Sequence, residues 1–531
     1  MNRHRLPALF TALLLSLCAP LVAGSNVTIY PAPDKSLLST DFTMQLDGKD
    51  VPVYLAKVAP ADAAGRTSAM DDKLNTANYF EKAAFAYFDL GGPVTVTVSY
   101  AVPVRSARVL PANAGVAAAI KAGKVQFTIS RPGNLTLEVN GDTVRSLHIF
   151  ANPVETDAPQ PHAANVLYLA PGSHTAGQLN APAGKTVIYF APGMHTIESF
   201  VVHDGQTLYI AGGAVVRPVI AAAEPFSNIK ASRGNVELKL YKQPAISLSG
   251  SNVKLRGRGI IDSSLTRGKY PLRIQGQDIS LEGVILQDAG TWSMPMWYSD
   301  HVSVTNLKLI NYRANSDGMD IVSSRDVNVE NCFIRTLDDV ITLKSIAKDP
   351  NTRAEGDTVR RVTVQNNVFW SEVAHALTIG TQVEANINTI TFSNNDIIHS
   401  LGRTDELSVD LSGSGEVGNV RFENIRIDAS GNPYDKNGVN PLIALMITKS
   451  ATWQRAGDLA RPLGKMRGVL FSNVAVTSKT ASKVQIRLLG ADDTSNIQDV
   501  KFEHVTFNGQ PLSRSNTVVV QKFANQVSGL P

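Results

Sequence analysis

Four side chains in the middle of the chain have the types and spacing to do chemistry together. Asp317 lies in Asn315-Ser316-Asp317-Gly318, Asp338 and Asp339 lie in Leu337-Asp338-Asp339, and His375 lies in Ala374-His375-Ala376. Carboxyls held a few ångströms apart cannot all ionise at their ordinary pKa, because each charge raises the cost of the next. One residue type can then supply both an acid and a base at a single pH. Acid–base catalysis is therefore the chemistry to expect, provided the fold brings the four together. Asp and Asn also populate ordinary turns, as at Asp262, Asp288 and Asp326, so the elements that carry them decide the matter.

Those elements repeat. Two alternating apolar residues followed by a small turn residue recur as Val253/Leu255/Gly257, Ile279/Leu281/Gly283, Val302/Val304/Asn306 and Val327/Val329/Asn331. The series continues through Val362/Val364/Asn366, Ile390/Phe392/Asn394, Val420/Phe422/Asn424, Val469/Phe471/Asn473 and Val500/Phe502/His504. Successive third positions are 26, 23, 25, 35, 28, 30, 49 and 31 residues apart, a floor near 23 with insertions above it. A tighter series precedes it, with glycines at 172, 193 and 213 after Tyr168, Tyr189 and Tyr209. Period-2 alternation in β-branched and aromatic residues means strands. At a fixed period without crossover helices, it predicts a parallel β-helix whose corner asparagines stack as a ladder.

Asp338 follows Asp317 by 21 residues, close to one coil, and His375 follows Asp339 by 36 where the repeat itself lengthens to 35. The insertion near Lys348-Asp349-Pro350-Asn351 absorbs the excess. All four side chains can thus fall on one face over three adjacent coils. Because Asp338 and Asp339 are consecutive, a bend is needed for both to face a groove. The long gap between Asn424 and Asn473 holds a loop, 432–440, that is a candidate for closing one end of that groove.

The rest of the chain sets the context. Residues 1–24 read as a secretory signal peptide, with Arg3 and Arg5 ahead of a short apolar run and small residues at its end. Removing it takes two of the 50 basic residues and leaves 48 against 46 acidic ones, a balance that gives no reason to expect nucleic acid. Only Cys332 would remain, so no intramolecular disulfide is available, and no later segment is apolar enough to span a membrane. Residues 25–152 alternate as in an antiparallel β-sandwich, residues 153–162 read as a linker, and 163–531 as the β-helix. The sandwich reads as a cap over the open end of the helix or as a sugar-binding module.

Asn-Ser-Asp-Gly-Met-Asp, Leu-Asp-Asp-Val-Ile-Thr-Leu-Lys and Ala-His-Ala-Leu-Thr-Ile-Gly resemble the motifs of glycoside hydrolase family 28, the polygalacturonases, over roughly residues 257–449. The related family 49, the dextranases and isopullulanases, is similar and also has an N-terminal β-sandwich. The resemblance implies a right-handed parallel β-helix and an inverting hydrolase. In it Asp338 protonates the glycosidic oxygen, Asp317 and Asp339 hold and deprotonate the water, and His375 tunes Asp338 or orients the sugar. A secreted monomer is expected, with a polysaccharide or oligosaccharide as its partner and no cofactor or metal in its chemistry. Two departures stand out. Ala374 and Ala376 replace the glycines around the histidine. The uronate-gripping motif is reduced to Ile447-Thr448-Lys449, where Lys449 offers a point charge in place of a bidentate Arg. Uronate and neutral glycans both stay open.

Asn315 and Lys449 are expected to touch substrate. Trp292 and Trp297, in the coil before Asp317, are expected to stack on sugar faces, with Tyr298, Trp370 and Trp453 nearby. Arg256, Arg258 and Arg273 form an earlier basic group, read as a solvated face. Two rivals share the scaffold: a polysaccharide lyase with bound Ca²⁺ and an Arg or Lys base, and a non-catalytic glycan-binding solenoid.

Overall fold

A computed structural model describes residues 27–60, 79–180, 184–230, 237–349, 355–400, 404–429 and 438–531. The expected signal peptide, and most of the loop at 432–440 considered as a gate on the groove, lie outside them. Among the described residues no helix is long and apolar enough to cross a membrane.

From residue 166 onward the chain winds as a right-handed parallel β-helix, and each full coil contributes strands to three faces. The first face stacks Asp300–Thr305, Arg325–Glu330, Val359–Gln365, Ile387–Ser393, Val417–Glu423, Met466–Ser472 and Ile497–Glu503. The second runs from Gly172–His174 through Lys308–Ile310, Phe333–Thr336 and Val368–Ser371 to Thr506–Phe507. The third stacks Met294–Trp297, Met319–Val322, Ile341–Ser345, Leu377–Val383, Leu407–Ser412, Val439–Ile447 and Lys483–Leu489.

The repeat read from the sequence is the register of the first face. Val302, Val327, Val362, Ile390, Val420, Val469 and Val500 pair in one line, and all are buried in a single core. Phe392, Phe422, Phe471 and Phe502 stack beside them at 4.8, 4.9 and 5.0 Å between rings, the rise of parallel strands. The residue that follows must turn left-handed. Asn306, Asn331, Asn366, Asn394, Asn424 and Asn473 all do so, at φ between 52° and 59°, a conformation Asn tolerates better than other side chains. Their amides bond along the axis, as Asn394 Nδ2 donates to Asn366 Oδ1 at 2.6 Å. Earlier, glycine takes this corner because nothing else fits: a Cβ on Gly257 would sit 2.0 Å from the Ile210 carbonyl oxygen.

Residues 27–153 form a six-stranded and a five-stranded sheet that share one core, with Ala84, Leu137 and Ile149 from one against Met44, Val96 and Phe127 from the other. One parallel pairing, Glu81–Leu90 with Asp142–Pro153, interrupts the otherwise antiparallel order. This unit does not cap the end of the β-helix. The outer face of its six-stranded sheet (Tyr54, Phe85, Tyr87, Phe150) packs along the second face, against Val215, Ile260, Ile310, Phe333 and Trp370. Buried ion pairs cross the junction, among them Arg258 to Asp89 at 2.9 Å. With the second face covered, the third is left to carry a site.

Candidate active site

The four candidates occupy the turns that lead into consecutive strands of the third face. Met319, Ile341, Leu377 and Leu407 pair in register, so the positions two residues before them form a column: Asp317, Asp339, His375 and Asp405. Asp338 sits one place earlier, in the bend between Phe333–Thr336 and Ile341–Ser345. Because the Asp-Asp pair is in a bend and not on a flat strand, both side chains reach the groove. Oxygens of Asp317, Asp338 and Asp339 all lie within 4.8 Å of one another.

The surroundings give each carboxyl a different character. Burial first, and then the Asp339 charge, pushes Asp338 up to about 6, although the backbone N–H groups of Asp339 (3.0 Å) and Asn315 (3.2 Å) donate to it. Asp339 is held below its ordinary range. Burial opposes its charge, but the His375 ring Nδ1 at 2.8 Å and the His375 backbone N–H at 3.1 Å outweigh it. The histidine responds in kind: burial works against its charge, yet Asp339 lifts it to about 9. Asp338 and Asp339 are thus poised as a protonated acid beside an ionised base held by an imidazolium.

Asp317 differs from the sequence expectation that paired it with Asp339. It is 4% exposed, and burial, followed by the charges of Asp320 and Asp338, pushes it well above the usual carboxylate range. Asp320 is fully buried, and burial lifts it to about 6 although Lys344 draws it down. The Lys344 ammonium reaches Asp320 Oδ1 at 2.5 Å and Asp317 Oδ2 at 3.6 Å. Burial works against that ammonium, but the two carboxyls hold it charged. Lys344 also lies 3.9 Å from the centre of the Trp292 ring, which stacks at 6.2 Å on both Trp297 and Tyr270.

Sequence reasoning missed Asp320, Lys344 and Asp410 as members of the site. All three are legible in hindsight from period-2 alternation. Met319 and Ile321 enter the core while Asp320 faces out, and Ile341 and Leu343 do so while Lys344 faces out. In the strand that follows His375's own, Leu407, Val409 and Leu411 enter the core and leave Ser408 and Asp410 outward. Asp410 Oδ2 lies 4.0 Å from His375 Nε2, and burial lifts Asp410 to about 6.

The other expected contacts are placed as follows. Lys449 is exposed, two coils past His375, and pairs with none of these acids. Asn315 serves the site through its backbone N–H to Asp338. Trp370 is buried at the junction of the two units, under the Arg335 guanidinium at 3.7 Å, and Arg258 is buried there too, not on a solvated face. Trp453 is 44% exposed. The three clustered oxygens have the spacing to ligate a cation, but Lys344 already supplies positive charge at Asp317, and Asp338 is largely protonated in the acid range.

Residues 272–527 match the model of glycosyl hydrolases family 28. The fold is similar to that of Dex49A from Penicillium minioluteum, at 13% identity and a TM-score of 0.59, over 94% of this chain and 96% of that one. It is also similar to the polygalacturonase from Erwinia carotovora ssp. carotovora (16% identity, TM-score 0.49, 71% and 99% of the two chains) and to the hyperthermoactive exopolygalacturonase from Thermotoga maritima (15%, 0.48, 65% and 84%). No curated protein sequence matches the chain.

Proposed function

Because the chain is a glycoside hydrolase with a family 28 domain over residues 272–527, we propose that Asp317, Asp338, Asp339 and His375 are its catalytic group. On this reading it is a secreted enzyme that cleaves the O-glycosidic bonds of a polysaccharide by general acid–base catalysis. The observation that carries this reading is the clustering of Asp317, Asp338 and Asp339, one oxygen of each within 4.8 Å of the others, with His375 Nδ1 2.8 Å from Asp339, which raises Asp338 to about 6 and lowers Asp339. A raised carboxyl can hand its proton to the leaving glycosidic oxygen, and the lowered one can take a proton from water. Asp317, 4% exposed and pushed up by burial and by the charges of Asp320 and Asp338, positions that water by hydrogen bonding. Lys344 and Asp320 hold Asp317 in place. Trp292 and Trp297 offer ring faces on which apolar sugar faces can stack.

Inversion needs a water between base and anomeric carbon, and a third carboxyl to hold it gives Asp317 a purpose that double displacement would not. NMR of the first-formed anomer tests inversion. The catalytic reading itself is tested by Asp338→Asn, which should lower kcat on polygalacturonate, dextran or pullulan, whichever the enzyme cleaves, by about 10²- to 10⁴-fold, with binding retained. Unchanged turnover would refute it. Product absorbance from an unsaturated uronate would instead establish the lyase.

A further inference from the structure

The coil next to His375 carries an acidic surface. Asp410 projects outward between the core residues Val409 and Leu411, with Oδ2 4.0 Å from His375 Nε2. Its Oδ1 is buried and accepts no hydrogen bond. Asp405 continues the column of Asp317, Asp339 and His375, is 2% exposed, and also has a buried Oδ1 without a donor. Its Oδ2 takes the Arg487 guanidinium. Arg487 lies two coils further on, and the residue in register between, Ala444, is small enough to let it reach back.

Among the described residues, no free cation offsets these carboxyls. Arg487 is engaged by Asp405, Lys344 by Asp320 and Asp317, and the His375 imidazolium by Asp339. Lys449 does not reach them. Arg273, which bonds Ser247 Oγ at 3.4 Å, stands five coils away, roughly 24 Å at ~4.8 Å per coil. It belongs to another part of the groove.

We propose that Asp405 and Asp410 form a sugar subsite beside His375 that takes an uncharged residue and rejects a uronate. The partly exposed Asp410 side chain can accept a hydrogen from a sugar hydroxyl, while the buried Asp405 behind it adds negative charge. A sugar carboxylate placed there would meet like charge in a partly desolvated site. A homopolymer of uronates must put a carboxylate at this position however it binds, whereas a neutral, mixed or esterified chain need not. The inference rests on the catalytic reading, which locates the groove over this column.

The test changes charge at constant linkage between an acid and its ester, and adds a neutral glucan. In the full chain carrying Asp338→Asn, calorimetry at pH 7 compares trigalacturonate, its trimethyl ester and isomaltotriose. The ester or isomaltotriose should bind at least about tenfold more tightly than the acid. Adding Asp410→Asn should shrink that preference on the order of tenfold, by removing one like charge a few ångströms from the sugar. The inference is overturned if the acid binds as well as both uncharged ligands, if Asp410→Asn leaves the ratio unchanged, or if neither uncharged trisaccharide binds. Failure of the catalytic reading would show separately, as turnover surviving in the Asp338→Asn chain.

Discussion

His375→Gln is the most informative perturbation, because the structure gives this imidazole one principal task. Its ring holds Asp339 at 2.8 Å while its backbone N–H makes a second bond at 3.1 Å. The substitution removes the first and leaves the second. A hydrogen bond between charged groups contributes about 1.5–3 kcal/mol. The bare attraction of unit charges ~4 Å apart near a protein surface is about 4 kcal/mol, and burying the imidazolium offsets part of it. At about 1.36 kcal/mol per pKa unit, Asp339 should rise by about one to two units. The sign follows from the roles. In the wild type, kcat/KM should be high where Asp339 is ionised and Asp338 protonated, from below 3.8 up to about 6, and should fall as pH rises through about 6. In the variant the acidic limb moves up. The basic limb stays at about 6, because Asp339 is still ionised there and still raises Asp338. Since the pair titrates together, the limbs report the pair and not single residues. The assay is reducing-end release on a cleaved polymer, as kcat/KM between about pH 3 and pH 8. A uniform loss with both limbs unmoved would refute the argument and make His375 a substrate contact only.

Two further predictions concern the scaffold. Asp89→Ala leaves Arg258, 1% exposed, as a buried charge at the junction of the two units with only the partly exposed Glu282 carboxylate, at 3.7 Å, to offset it. It should cost about 3–5 kcal/mol in a denaturant titration, and a loss under ~1 kcal/mol would show that solvent reaches this pair. Asn366→Ala forces an alanine to φ 59° and removes the acceptor of Asn394. It should cost about 1–2 kcal/mol, whereas Asn366→Gly should recover most of the backbone part; equal losses would show that the amide ladder and not the dihedral matters.

The β-helix was legible because its information is local and periodic. Alternation fixes which side chains enter the core, and a corner with one demanding dihedral selects Asn or Gly in every coil, so Val362, Val364 and Asn366 announce their places unaided. The same periodicity sufficed to align Asp317, Asp339 and His375, since coils of known length stack in register. What the sequence left undecided depends on contacts between distant segments. That residues 27–153 lie along the second face and not over the end is a matter of how Phe85 and Phe150 meet Phe333 and Trp370. Trp370 reads the same on paper whether it serves a groove or, as here, a core. Only the folded chain decided that Asp317 and Asp339 differ, because charge at a carboxyl depends on burial and on neighbours a few ångströms away. Those neighbours, Lys344 and Asp320 for one and His375 for the other, arrive from different coils.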